Sequence, residues 1–203
     1  MYSPFKLVEF SANSFEIASN MPLAEKLKKF FEDSSTDYMW KLNTSRQRMA
    51  AALQHTEMIA LRMPVPPNPN ELKTTNQWNQ VLNIKDSERF KDIALFQELR
   101  QWLEEALINS GAKSVEFGRI FFSKHKAKTD VGLHTDEGDY FSYFDRFHFV
   151  VDQTDNENIF FIRDEPVKLL MGKLYWVNNH VPHYLENRSD KDRINVIFDA
   201  RLS

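Results

Sequence analysis

The spacing of apolar residues changes at Gly111, and that change limits what the chain can become. Before it, Lys91 to Asn109 carries Leu95, Phe96, Leu99, Trp102, Leu103, Ala106 and Leu107 as one helical stripe. Gly111 is placed to end that helix. After it the period falls to two. Strand candidates follow at 115–122, 131–134, 146–151, 158–162, 166–171, 173–177, 182–186 and 193–200, with turn residues between them. Helices first and a regular run of short strands afterwards predict a β-sandwich or barrel with helices laid on one sheet. The chain therefore reads as mainly β with helices (α+β). It is one domain over 1–203, with 1–112 as helical support and 113–203 as the β core.

The first half is less regular. Phe5 to Phe10 reads as an opening strand, and Pro22 starts a helix with Leu23, Leu27, Phe30 and Phe31 on one face. Asp37–Leu42 and Met58–Met63 are further strand candidates. Pro64, Pro66, Pro67 and Pro69 fix φ and remove donors, so 63–70 is a stiff loop that could extend to Trp78 as a flap.

Composition removes several functions. A net charge of −3 with no basic run argues against a dedicated nucleic-acid or membrane-surface binder. With no cysteine there is no disulfide, thiolate metal site or cysteine nucleophile. The start of the sequence has no apolar signal core, and no apolar run is long enough to span a bilayer. Together with the missing cysteines this fits a reducing cytoplasm. Seventeen phenylalanines against five glycines point to an aromatic core.

Chemistry concentrates between His134 and Arg193. In a strand, residues two apart share a face, so His134 and Asp136 can reach a common point. A third ligand must come from elsewhere, and His183 is the best placed. Two histidines and a carboxylate with open positions suit non-haem Fe(II) oxygenases, although zinc would accept the same atoms. His180 competes with His183 but lies in the turn-like Asn178–Pro182 run. His55 and His125 lack a ligand-like neighbourhood and read as surface or outlying groups. Arg193 follows His183 by ten residues. If a hairpin folds about Arg188 the two lie opposite each other; in different sheets they face across a lumen. Either way a fixed cation sits near the metal, where it can hold the far end of an anionic co-substrate. The plainer alternative for Arg193 is a surface pair with Asp190 or Asp192.

These residues resemble the aspartyl/asparaginyl β-hydroxylase family, including the bacterial free-proline hydroxylases. The run His183…Asn187…Arg193, ending Ile194-Asn195-Val196-Ile197-Phe198-Asp199, looks like the family's segment from metal histidine to co-substrate arginine. Arg146-Phe147-His148 resembles its Arg-x-His, and Ser123, eleven residues before His134, stands where the family places a serine on the co-substrate carboxylate. The resemblance covers about the last ninety residues well and the first half loosely. It implies a double-stranded β-helix (a jelly-roll or cupin-like barrel). It also implies Fe(II), 2-oxoglutarate and O₂ as reaction partners, with Arg146, His148 and Ser123 joining Arg193 around 2-oxoglutarate. Hydroxylation of an amino acid or peptidyl residue would release succinate and CO₂. Asp136 and a longer His134–Arg146 interval bring the chain closer to the proline hydroxylases than to the vertebrate peptide hydroxylase.

The substrate is weakly marked. Arg62 and Arg119 could each receive a substrate carboxylate or make a structural ion pair, and Trp176 could line the pocket or lie in the core. Free amino acid, peptide and unrelated small acid all stay open, as does oligomeric state. The segments 63–79 and 138–145 are candidate lids. Two rivals remain: a cupin-like metalloenzyme that does not use 2-oxoglutarate, and a non-catalytic barrel binding a small acid or a protein.

Overall fold

The computed structural model describes residues 12–43, 51–65, 77 and 79–203. Helix α1 (Met21–Glu32) starts where the Asn20 side chain accepts the Leu23 N–H at 3.0 Å, and it buries Leu23, Ala24, Leu27 and Phe31. A short helix α2 (Asp37–Trp40) follows, and α3 (Ala94–Asn109) buries Phe96, Leu99, Leu103, Ala106 and Leu107. Gly111 stands just past its end at φ +111°, a backbone that favours glycine. The last helix, α4 (Asp139–Tyr143), is one turn long.

Eleven strands are seen among the described residues. They are β1 (Ser14–Ser19), β2 (Thr56–Pro64), β3 (Ile84–Asp86), β4 (Val115–His125), β5 (Thr129–His134) and β6 (Asp145–Asp152). Then come β7 (Asn158–Ile162), β8 (Glu165–Val167), β9 (Lys173–Val177), β10 (His183–Asn187) and β11 (Arg193–Leu202). They form a seven-stranded sheet in the order β1-β9-β6-β11-β4-β2-β3 and a four-stranded sheet β5-β10-β7-β8. Every pairing is antiparallel.

Alternation decides which side chains meet the helices and which meet the second sheet. On β6, Phe147, Phe149 and Val151 join the core beneath α1 and α3, while Arg146, His148 and Val150 face the other way. On β11, Ile194, Val196 and Phe198 are on the helix side, and Arg193, Asn195 and Ile197 on the lumen side. The helix-side layer is aromatic: Phe31 and Phe96 lie 4.8 and 5.0 Å from Phe122, and Trp102 4.6 Å from Phe149, between ring centroids.

Most of the expected strands are present within a few residues; the differences have local causes. The strand expected at Asp37–Leu42 is the helix α2. Met39 and Trp40 are adjacent and both buried, which alternation does not allow but a helical turn does. The strand expected at 166–171 stops at Val167. Beyond it the Leu170 N–H goes to the Tyr175 hydroxyl at 3.1 Å instead of a ladder. Strands β1 and β3 and helix α4 were not expected. Phe5–Phe10 lies outside the described residues, as does most of the proline-rich loop. Among the described residues no helix is long and apolar enough to cross a membrane.

Candidate metal centre and adjoining cavity

His134 ends β5 and His183 begins β10, and the two are register partners. Their ring centroids lie 4.3 Å apart. Asp136 sits just past β5, where its N–H donates to the Asn179 carbonyl at 3.1 Å and pins the chain to the turn before β10. One donor atom from each of His134, Asp136 and His183 lies within 4.8 Å of the others. The Nδ1 atoms of both histidines meet a carbonyl two residues back, Gly132 O at 2.7 Å and Val181 O at 2.9 Å. Those bonds set Nδ1 as the protonated nitrogen and put the lone pair on Nε2, the usual tautomer of a metal-binding imidazole. His180, the competing candidate, is exposed and outside the group.

Burial on its own would raise the Asp136 carboxyl. The Arg146 guanidinium, both imidazoles and the Asn179 amide outweigh it and hold the group well below the usual carboxylate range. His183 is pushed down to about 4, first by burial. A neutral His183 and an ionised Asp136 thus stand beside His134, and two imidazoles with a carboxylate are a donor set that fits a facial Fe(II) site.

Strands β10 and β11 belong to different sheets, so His183 and Arg193 face one another across the lumen; they do not pair as a hairpin. Both line one cavity with His134, Ser123, Arg146 and His148. Arg193 is buried at 5% exposure, and its Nε donates to Gln153 Oε1 at 3.1 Å. No carboxylate lies within ion-pair distance of it among the described residues, so the surface pairs with Asp190 or Asp192 do not form. Burial pushes its guanidinium down to about 9.

His125, read as a surface group or one standing behind the ligands, is a cavity residue. It is 3% exposed, pairs in register with Arg193 across β4–β11, and its buried Nδ1 has no partner. The strand expected at 115–122 runs on to His125 in β4, and there His125 shares a face with Ser123. His55 is exposed, as expected.

Arg146, which the resemblance places toward the co-substrate, has partners within the protein as well. It lines the cavity, its Nε and Nη2 bind Asp199 at 2.8 and 3.2 Å, and its Nη1 binds Asp136. His148 does face the lumen, 5% exposed, with Nδ1 3.3 Å from Asn195 Nδ2. Among the expected substrate residues, Arg62 pairs with Asp86 at 3.1 Å and lines a separate groove. Trp176 is on the helix side of β9, stacked on Phe15 at 5.1 Å, because its neighbours Tyr175 and Val177 take the lumen face. Arg119 lies near the site, its Nη2 3.0 Å from Asn79 Oδ1 and its guanidinium 3.8 Å from the centre of the Tyr140 ring. In the 138–145 segment Tyr140, Phe141 and Phe144 are all buried and pack on one another. Most of the 63–79 flap is outside the described residues.

The buried imidazoles predict a pH effect on the metal-free protein. Burial and then Arg193 push His125 down to about 4, and burial and then Arg146 push His148 well below its usual range. Both are neutral when folded and protonate on unfolding below about pH 6.5. Stability is therefore full above that pH and falls as pH drops, by about 1.4 kcal/mol per pH unit for each imidazole. Urea melts at pH 7 and pH 5 should differ by at least about 3 kcal/mol; equal midpoints and slopes would contradict the burial of these rings.

The model of the aspartyl/asparaginyl β-hydroxylase family matches residues 26–202. Among solved structures, the chain is similar to a viral collagen prolyl hydroxylase from Paramecium bursaria Chlorella virus-1 in complex with 2OG. The identity is 8%, the TM-score 0.54, and the match covers 95% of this chain and 97% of the other. An oxidoreductase of the 2OG-Fe(II) oxygenase family from Burkholderia pseudomallei gives 8% identity and a TM-score of 0.53 over 92% of each chain. No match was found among curated proteins. The two structural likenesses establish the fold, a double-stranded β-helix, and the family model covers nearly all of the sequence; the chain belongs to the aspartyl/asparaginyl β-hydroxylase family.

Proposed function

We propose that the protein is an Fe(II)- and 2-oxoglutarate-dependent dioxygenase that hydroxylates an amino acid or a peptidyl residue. The observation that carries this reading is Arg193: a buried cation with no carboxylate within ion-pair distance among the described residues, in the cavity that holds the two histidines. A buried charge costs several kcal/mol unless something pairs with it. A dicarboxylate reaching from the metal to Arg193 would supply that partner through a two-pronged guanidinium–carboxylate contact. A cupin-like enzyme without 2-oxoglutarate leaves Arg193 with no such role.

His134 and His183 would hold the metal through Nε2, with Asp136 completing one face. Ser123, His125 and His148 line the same cavity and would donate to, or pack against, the co-substrate. Iron, 2-oxoglutarate and O₂ together supply oxidative decarboxylation to succinate and CO₂ coupled to hydroxylation of a C–H bond. The protein's share is binding, orientation and exclusion of water.

The test is an anaerobic titration of the purified protein with Fe(II) and 2-oxoglutarate, then a succinate assay against amino acids and peptides. A visible charge-transfer band requiring both ligands is expected, followed by substrate-stimulated succinate release. Failure of Fe(II) and 2-oxoglutarate to bind together would sink the proposal.

A further inference from the structure

Behind the metal carboxylate, four side chains are joined in sequence by hydrogen bonds. The Tyr140 hydroxyl donates to Asp199 Oδ2 at 3.0 Å and accepts the Arg119 N–H at 2.6 Å. Asp199 is wholly buried, and its two oxygens accept Nε and Nη2 of Arg146. Arg146 Nη1 then donates to Asp136 Oδ2, the same oxygen that takes the Asn179 amide at 3.0 Å.

The direction of each contact matters. A guanidinium prefers to grip a carboxylate with two parallel N–H groups. Here Asp199 takes that grip through Nε and Nη2, and Asp136 takes a single N–H from Nη1. Both donors to Asp136 converge on Oδ2, and Oδ1 takes part in neither bond. Without Asp199, Arg146 could swing its two-pronged edge onto Asp136 and compete with a metal for both oxygens.

We propose that Asp199, anchored by Tyr140, is a positioning residue for the metal centre: it confines Arg146 to one oxygen of Asp136 and keeps the other for the metal. This rests on the metal site proposed above. The arrangement is built in from several elements. Asp199 and Arg146 are register partners on β11 and β6. Phe141 of α4 packs its ring 4.7 Å from the Arg146 guanidinium carbon. Gly118 on β4 has no side chain where a Cβ would collide with the Tyr140 hydroxyl. Burial and the Asp199 charge hold Tyr140 protonated, so it stays a donor to Asp199.

Asp199→Asn tests the idea, with Tyr140→Phe as a milder second variant and Arg146→Gln/Asp199→Asn as the rescue. The readouts are Co(II) and Fe(II) affinity, the visible spectrum of the Co(II) form, and the thermal midpoint of the metal-free protein. Asp199→Asn should weaken metal binding roughly 10- to 100-fold, the range for groups that orient a ligand. It should also change the Co(II) spectrum. Tyr140→Phe should move both the same way by a smaller factor. The double variant should recover affinity relative to Asp199→Asn, because the competing guanidinium is gone. A purely structural Asp199 would lower the thermal midpoint and leave the affinity of the folded protein and the Co(II) spectrum unchanged; that result overturns the proposal. If Asp199→Asn does not fold, Tyr140→Phe decides by the same two readouts. If the wild-type protein binds no metal, the metal site fails and the positioning role with it. If wild type binds metal and the variants match it, only the positioning role fails.

Discussion

Replacing Arg193 with alanine is expected to abolish tight 2-oxoglutarate binding and leave metal binding nearly unchanged. Truncating one partner of a buried, hydrogen-bonded charge pair costs about 2–5 kcal/mol. At 1.4 kcal/mol per decade, affinity should fall by roughly 30- to several-thousand-fold. His134 and His183 sit in the opposite sheet and Asp136 just past β5, so Fe(II) or Co(II) affinity without co-substrate should change little. The effect on stability should be unusual for a buried residue. In the metal-free protein Arg193 is a desolvated cation that, among the described residues, is held by Gln153, and burial pushes its guanidinium down to about 9. The cost of burying that charge is present in full at neutral pH and is relieved only as pH rises past about 9. Arg193→Met, which fills the space without the charge, should therefore be neutral or stabilising by about 1–4 kcal/mol in denaturant melts. Loss of co-substrate binding together with an unchanged or raised melting midpoint is the signature of a site residue kept at the expense of stability. A variant that loses metal binding and keeps 2-oxoglutarate affinity would reverse the assignment.

Much of this arrangement could be read from residue order, because β-strands expose their faces by a simple rule. Arg146 and His148 share a face opposite Phe147 and Phe149, and that alternation holds in the structure. The ten-residue interval from His183 to Arg193 carried information of another kind. It left open whether the two strands pair or face each other, since only the sheet assignment decides that. Local spacing failed where long-range packing dominates. Trp176 was ambiguous until β9 was placed between β1 and β6, which turned its ring to the helix side. The resemblance places Arg146 toward the co-substrate, and nothing local marks Asp199 as its partner. The two are 53 residues apart and meet only through the β6–β11 register. His125 was dismissed because no metal-ligand neighbour stands beside it and the strand expected at 115–122 stops short of it, whereas β4 runs on to His125. The aromatic 138–145 segment looked like a lid because its residues are contiguous and large. They are buried in a cluster of their own, and Tyr140 commits its hydroxyl to Asp199.

His183→Ala should have the second large effect, and His180→Ala, three residues earlier, should have almost none. Loss of a directly coordinating imidazole should weaken metal binding by more than roughly 100-fold, the upper limit for groups acting only through a ligand. Substrate-stimulated succinate formation should then fall to background. His183 is the register partner of His134, so its removal also leaves that ring without its neighbour at 4.3 Å. The metal-free fold should tolerate the change. His183 is buried in its neutral form, pushed down to about 4, and its ring makes one backbone hydrogen bond, to Val181. A bond of that kind contributes only about 1 kcal/mol net. The difference should appear when metal is added. At a metal concentration 100 times the dissociation constant, binding stabilises the wild-type fold by about 2.7 kcal/mol. His183→Ala should show almost none of that gain at the same concentration, whereas His180→Ala should keep all of it. His180 is exposed and outside the ligand group, so a metal-dependent shift lost in His180→Ala and kept in His183→Ala would move the third ligand to the other histidine. The test separates the two because their strand positions differ: His183 is the first residue of β10 and faces the lumen, and His180 lies in the turn that leads into it.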